Sequence, residues 1–283
     1  MKYFSVLLFM FIFSLQPLFS QRKTKLNTNG QGAIFAQFGY NRSVYTKADV
    51  NVESNTYKYT LFNTTLSDNE EDTKLGSYFT SSSPQFSAKL GYFIKHKWAI
   101  TASFDRYNTF FKNNQQVELE GVFSPNSNSI YNGAVSESIL LNRDQFNIAQ
   151  QRGMNIISLG VQRNDMLGRT KRAEFAMHIL YGLKAGIILT NAEYTYDYYT
   201  TKNLTSLSGF ALTADIGVRM DFFQYIYLQL GLNGGLLNQS QLMLATNSST
   251  TAKQTVGFIS PNISIGFAIF ASTKNNCGTC PQW

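Results

Sequence analysis

The stretch PQFSAKLGYFIKHKWAITASFDRYNTFF, Pro84 to Phe111, decides the fold. Taken two residues at a time, Phe86, Ala88, Leu90, Tyr92 and Ile94 share one face, and Gln85, Ser87, Lys89 and Gly91 share the other. Lys95-His96-Lys97 interrupts the pattern. It resumes with Trp98, Ile100, Ala102 and Phe104 set against Thr101, Ser103 and Asp105. Period-two alternation on both sides of a tight polar turn predicts a β-hairpin. Soluble hairpins do not need strands of this length. A tilted strand that crosses a bilayer needs about ten residues, with aromatic side chains near the interfaces and small polar ones facing inward. The hairpin meets that description, so the chain is read as a membrane-spanning β-barrel built from such units.

The same alternation recurs on both sides. Upstream, Ala33 to Tyr45 sets Ile34, Ala36, Phe38 and Tyr40 against Gln37, Gly39, Asn41 and Ser43. Downstream, Asn155 to Arg163 and the run from Ala173 repeat it, the latter with Phe175, Met177, Ile179, Tyr181 and Leu183 opposite His178, Gly182, Lys184 and Gly186. Phe210 to Asp221 alternates most cleanly, followed by the tight Phe223-Gln224 turn, Ile226 to Asn233, and a last strand at Val256 to Phe270. That gives eight strands, or ten to twelve if the long connections hide spanning hairpins. Two connections are long and polar, Thr46–Ser83 and Lys112–Gln151, with strand-like islands at Tyr57–Phe62 and Gln116–Phe123. Long connections alternate with tight turns, among them the compact basic segment Asn164–Arg172. Bacterial barrels place long loops outside the cell and tight turns in the periplasm.

Bulk properties agree. Mean hydropathy is −0.17, unremarkable for a soluble protein, but alternating strands escape hydropathy scans because every second residue is polar. Charged residues make up only 14%, beside 23 Phe, 16 Tyr and 20 Gly, where soluble domains average about a quarter charged. The formal charge of +7 gathers near the tight turns, at Lys95 and Lys97 and at Arg169, Lys171 and Arg172. This suits phospholipid headgroups rather than nucleic acid.

At the start, Lys2 and the apolar Tyr3–Leu15 read as a secretory signal peptide over residues 1–20. A periplasmic arm (21–32), the barrel (33–271) and a periplasmic tail (272–283) then follow. The tail carries Cys277-Gly-Thr-Cys280, a candidate disulfide in an exported protein. The expected location is the cell outer membrane.

The mature chain resembles the small porin-like outer-membrane β-barrel proteins of Bacteroidota. The resemblance lies in GYNRSVYTKADV (Gly39–Val50), YKYTLF (Tyr57–Phe62), LGYFIKHKWAIT (Leu90–Thr101), QVELEG (Gln116–Gly121) and FFQYIYLQLGLNGG (Phe222–Gly235). SIGFAIF (Ser264–Phe270) is similar to the closing signal by which the barrel assembly machinery recognises such strands. The family has no assigned chemistry, so the resemblance implies fold and location and no active site.

Candidate chemistry is confined to a few clusters. The inward positions collect Lys89, Asp105, His178, Lys184, Asp215, Arg219 and Asp221. In an eight-stranded barrel, whose interior side chains can fill, this set reads as a charge-balanced plug. A wider barrel would make it a polar pore. Neither His96 nor His178 is placed to activate a lipid-facing serine, so the expectation is a non-enzyme without cofactor or metal, a lipid-modifying enzyme being one alternative and a general diffusion porin the other. Asp68, Asn69, Glu70, Glu71 and Asp72 read as a solvated acidic loop tip, lacking calcium-loop spacing. Tyr194, Tyr196, Tyr198 and Tyr199 serve either as a ligand surface or as packing for a protruding strand. The expected role is a monomeric envelope protein, structural, interacting through its outer loops or weakly permeable. Its expected partners are outer-membrane lipids, lipopolysaccharide and a surface ligand.

Overall fold

The structure, a computed structural model, describes residues 31–69, 85–125, 127, 129–150, 153–170, 174–223, 225–245 and 250–270. The expected signal peptide, nearly all of the expected arm, and the expected tail with Cys277 and Cys280 lie outside the described residues. In chain order the strands are β1 (Ala33–Asn41), β2 (Val44–Tyr45), β3 (Ala48–Glu53), β4 (Tyr57–Thr64), β5 (Leu66–Ser67), β6 (Phe86–Lys95), β7 (Trp98–Tyr107) and β8 (Phe110–Phe111). They continue as β9 (Gln115–Phe123), β10 (Gly133–Leu141), β11 (Phe146–Ala149), β12 (Met154–Arg169), β13 (Phe175–Tyr196), β14 (Tyr199–Phe222), β15 (Ile226–Met243) and β16 (Thr251–Phe270).

Eight of these form a closed antiparallel circuit, β1-β6-β7-β12-β13-β14-β15-β16, because β1 pairs with β6 on one edge and with β16 on the other. Closure leaves no unpaired edge inside a bilayer, where a bare backbone amide costs several kcal/mol. Outward positions are apolar and exposed, as at Leu90, Ile100, Leu159, Leu183, Ile216, Leu230 and Ile265. No helix among the described residues is long and apolar enough to cross a membrane. The architecture is that of a transmembrane up-and-down β-barrel of eight strands.

Among the described residues the long connections add no spanning strands. They build a second tier. β3 pairs with the upper part of β16, and β4, β9 and β10 follow in order, while β11 pairs with the upper part of β13. β13 to β16 are therefore much longer than their alternating cores suggest, and each belongs to both tiers. β12 likewise runs to Arg169, so much of the expected compact turn over 164–172 is strand. At the far tip Tyr196 pairs with Tyr199 across Asp197 and Tyr198, whose φ values of 46° and 68° define a two-residue turn of the primed kind.

Candidate functional site

The barrel interior is filled at successive heights. Nearest the tight turns lies an apolar floor of Ala33, Phe35, Phe93, Ala99, Tyr227 and Ala268. Glycines make room for it: a Cβ at Gly91 would strike the Phe35 ring, and one at Gly266 the Tyr227 ring. Period-two register turns these small residues inward from β6 and β16, opposite the bulky rings of β1 and β15.

Above the floor sits a triad. Arg219 Nε donates to Asp221 Oδ1 at 2.5 Å, and His178 Nε2 lies 3.1 Å from Asp221 Oδ2. The Arg219 guanidinium also stacks 3.7 Å from the centroid of the Tyr227 ring, an attraction strengthened by desolvation. Arg219 and Asp221 meet because residues two apart on a strand share a face. His178 joins because it stands opposite Arg219 in the β13–β14 register.

The next layer is a chain of four charges from four strands. Lys89 Nζ donates to Asp215 Oδ2 at 3.0 Å and to Gln162 Oε1 at 3.2 Å. Asp215 Oδ1 is 3.6 Å from Lys184 Nζ, which donates to Asp105 Oδ2 at 2.7 Å. Ser103 Oγ adds a further donor to Asp105 at 3.3 Å. The three cations Lys89, Lys184 and Arg219 match the three carboxylates Asp105, Asp215 and Asp221 in number. All seven lie inside the wall, Asp215 the least deeply.

Higher still, sequence reading missed an amide layer. Gln239 Nε2 donates to Thr190 Oγ1 at 3.0 Å, Gln150 Nε2 to Gln239 Oε1 at 3.2 Å, and Gln254 Nε2 also reaches Gln239. Gln150 comes from a long connection, and only the tertiary fold brings it here. Gln239 and Gln254 could have been found, because each sits at an inward parity position of its strand.

The upper tier encloses an apolar core that includes Val50, Val52, Tyr59, Leu61, Val117, Leu119, Phe146, Ile188, Tyr194 and Phe258. Tyr57 and Tyr196 stack with centroids 4.2 Å apart, and the Tyr57 and Tyr59 hydroxyls each lie 3.1 Å from that of Tyr194. Burial holds the Tyr59 and Tyr194 phenols above their ordinary range. Tyr194 and Tyr196 thus pack the protruding strand, whereas Tyr198 and Tyr199 are exposed at the tip.

The acidic run differs from its expected solvated state at its first residue. Asp68 receives 2.8 Å contacts from the Arg42 guanidinium and accepts the Ser43 backbone N–H at 2.9 Å, its side chain only 12% exposed. It anchors the first long connection to the end of β1, and Glu70 to Asp72 lie outside the described residues. No group of three or more His, Cys, Asp or Glu among the described residues is arranged to hold a metal ion.

No family model matches the chain, and no curated protein does. Among solved structures it is similar to the outer membrane protein OprG from Pseudomonas aeruginosa, at 11% identity and TM-score 0.41, covering 86% of this chain and 99% of that one. It is also similar to the N-terminal β-barrel domain of Pseudomonas aeruginosa OprF, at 8% identity and TM-score 0.35, over 85% and 99%. Ail, the attachment invasion locus protein of Yersinia pestis, shows 10% identity and TM-score 0.34, over 84% and 99%. Likeness at this level says nothing of activity, and the barrel stands on its own strand pairing.

Proposed function

We propose that the chain is a non-enzymatic outer-membrane protein whose barrel is closed to solutes and serves as a foot for the upper tier, displayed at the cell surface. The single observation behind this is the stack of interior layers, in which apolar floor, paired charges, amides and aromatic core succeed one another along the axis. Every inward charge has an opposite or neutral partner inside the wall, which is how a filled bore differs from a solvated one. The resemblance to the porin-like proteins of Bacteroidota fits the wall and the expected location, with a plug in place of a pore. The basic tight turns then face the periplasm and the long-loop end faces outward, as in bacterial barrels generally.

Planar-bilayer recording of the purified protein tests this reading. The expected trace shows no stable open level. A steady, ohmic, nanosiemens-scale conductance would overturn it and make the protein a diffusion porin. Orientation has its own test: a cysteine reporter at Asn69 should label on intact cells and one at Thr170 should not.

A further inference from the structure

We propose that the free edge of β10 accepts an extended strand from another protein, one in which basic residues alternate with apolar ones. This deepens the surface-interaction reading above and rests on it for access to the partner.

β10 ends the upper sheet. It pairs with β9 through nine residues without a register shift, and among the described residues no strand pairs with its other edge. A strand of this length leaves a row of backbone N–H and C=O groups ready to template another chain. Natural edges are blunted by lysine, proline or a bulge. β10 reads GAVSESILL, with no lysine, proline or bulge and a single charge, Glu137, and its side chains are mostly exposed. Gly133, at φ +80°, enters it with nothing within 4 Å of where a Cβ would stand.

The two faces beside that edge specify the occupant. On the outer face Glu118 and Glu120 of β9 stand opposite Ser138 and Ser136 of β10, and no ion pair engages either glutamate among the described residues. An incoming strand would lay every second side chain beside the two serines, two strand spacings (about 9.5 Å) from β9, a gap that a long side chain can cross over the short serines to reach the carboxylates. Lysine or arginine fits there. On the inner face Val135 and Ile139 are half-buried against the aromatic core, with the exposed Glu137 between them, so the partner side chains opposite the two apolar residues should be apolar. A second copy of this chain fits poorly: the only charge on β10 is Glu137 at its middle, and antiparallel self-pairing about it would set two carboxylates directly opposite one another, which is destabilising.

The test uses the purified barrel in uncharged detergent and a nine-residue peptide alternating lysine and valine. Its control is the same peptide N-methylated at alternate residues, which cannot form the ladder. Binding should slow hydrogen exchange at Gly133–Leu141 and leave β12 unchanged. The control should not bind. Glu118→Gln with Glu120→Gln should weaken binding up to roughly tenfold, from two exposed charge contacts reaching over β10. Ser138→Pro should abolish it, provided the heat-modifiable band shows the barrel folded; the glutamine variant carries the test if it does not. Equal binding of the N-methylated peptide, or no protection at β10, overturns the proposal. Failure of the underlying reading looks different: a Ser136→Cys reporter would stay unlabelled on intact cells while the purified protein still bound the peptide.

Discussion

β13 belongs to both tiers, and its lower and upper halves are opposites. Its even-numbered residues point inward along its whole length. Below, they are Ala176, His178, Leu180, Gly182, Lys184 and Gly186, so the charged groups share the bore with small and apolar ones; above, they are Ile188, Ala192, Tyr194 and Tyr196, with Thr190 between. The outward set inverts in step, from Met177, Ile179, Leu183 and Ile187 to Asn191 and Glu193. β16 does the same, with Ile259, Ile263, Ile265 and Phe267 outward below, and Lys253 and Thr255 outward above. Along β13 and β16 strand parity is kept; the solvent changes. Outside the lower tier is hydrocarbon, so apolar groups face out and polar groups must satisfy one another within. Outside the upper tier is water, and the hydrophobic effect returns the apolar groups to the inside. The inversion near Ile188 and Ile259 marks the membrane boundary in the sequence itself.

The largest test of this contrast lies at the bottom of the bore. Arg219→Ala removes the cation from a buried carboxylate and from the Tyr227 ring. Breaking a buried pair costs about 3–5 kcal/mol because the remaining charge is stranded. The heat-modifiable folded band should melt at a clearly lower temperature. An unchanged melting temperature would mean that water reaches Asp221 and that the layer is not sealed.

The outer surface gives the next test, in two halves. Ile216→Arg places a charge on the lipid face, where an arginine near the midplane costs about 2–4 kcal/mol, and folding yield into vesicles should fall. Glu193→Arg, outward on β13 beyond the inversion, should stay within about 0.5 kcal/mol, as ordinary surface changes do. Equal damage from both would put the boundary in the wrong place.

How much of this was legible in the sequence follows from the same inversion. Alternation reports parity, so the eight crossings and the inward positions of Lys89, Asp105, His178, Lys184, Asp215, Arg219 and Asp221 could be read off directly. Which of them meet could not. Lys89 and Asp215 are 126 positions apart, and only the barrel's register brings them together. The strands were cut short where the outward residues turned polar, because a reader following apolar exteriors stops at the inversion. The hairpins in the long connections left only islands such as Tyr57–Phe62. Asp68 gave no local sign that Arg42 would claim it, and a stacking ring for Arg219 was equally invisible.

A gentler probe compares the two cores by volume. Ile188→Val removes one methylene from the apolar upper core, for about 0.5–1.5 kcal/mol. The loss should appear as faster hydrogen exchange in the upper half of β13 and in β4, leaving the lower tier as it was. A drop shared by both tiers would show that they unfold as one unit.

The smallest effect is expected from alkali. The Tyr59 and Tyr194 phenols are buried, share hydroxyl contacts, and are held above their ordinary range by that burial. A folded state that raises an acid's pKa favours the neutral form. Its contribution is therefore complete below the unfolded value of about 10 and is lost as pH climbs above it, toward the folded value. Below pH 10 the upper tier should show no pH dependence from these two groups. Above it, hydrogen exchange or near-ultraviolet dichroism should report a loosening of the aromatic core, while the lower tier keeps its heat-modifiable band. Tyr59→Phe should reduce that alkaline response, since one of the two phenols is gone. A response of equal size in the variant would place its source elsewhere, and would leave the upper core open to water at the level of Tyr194.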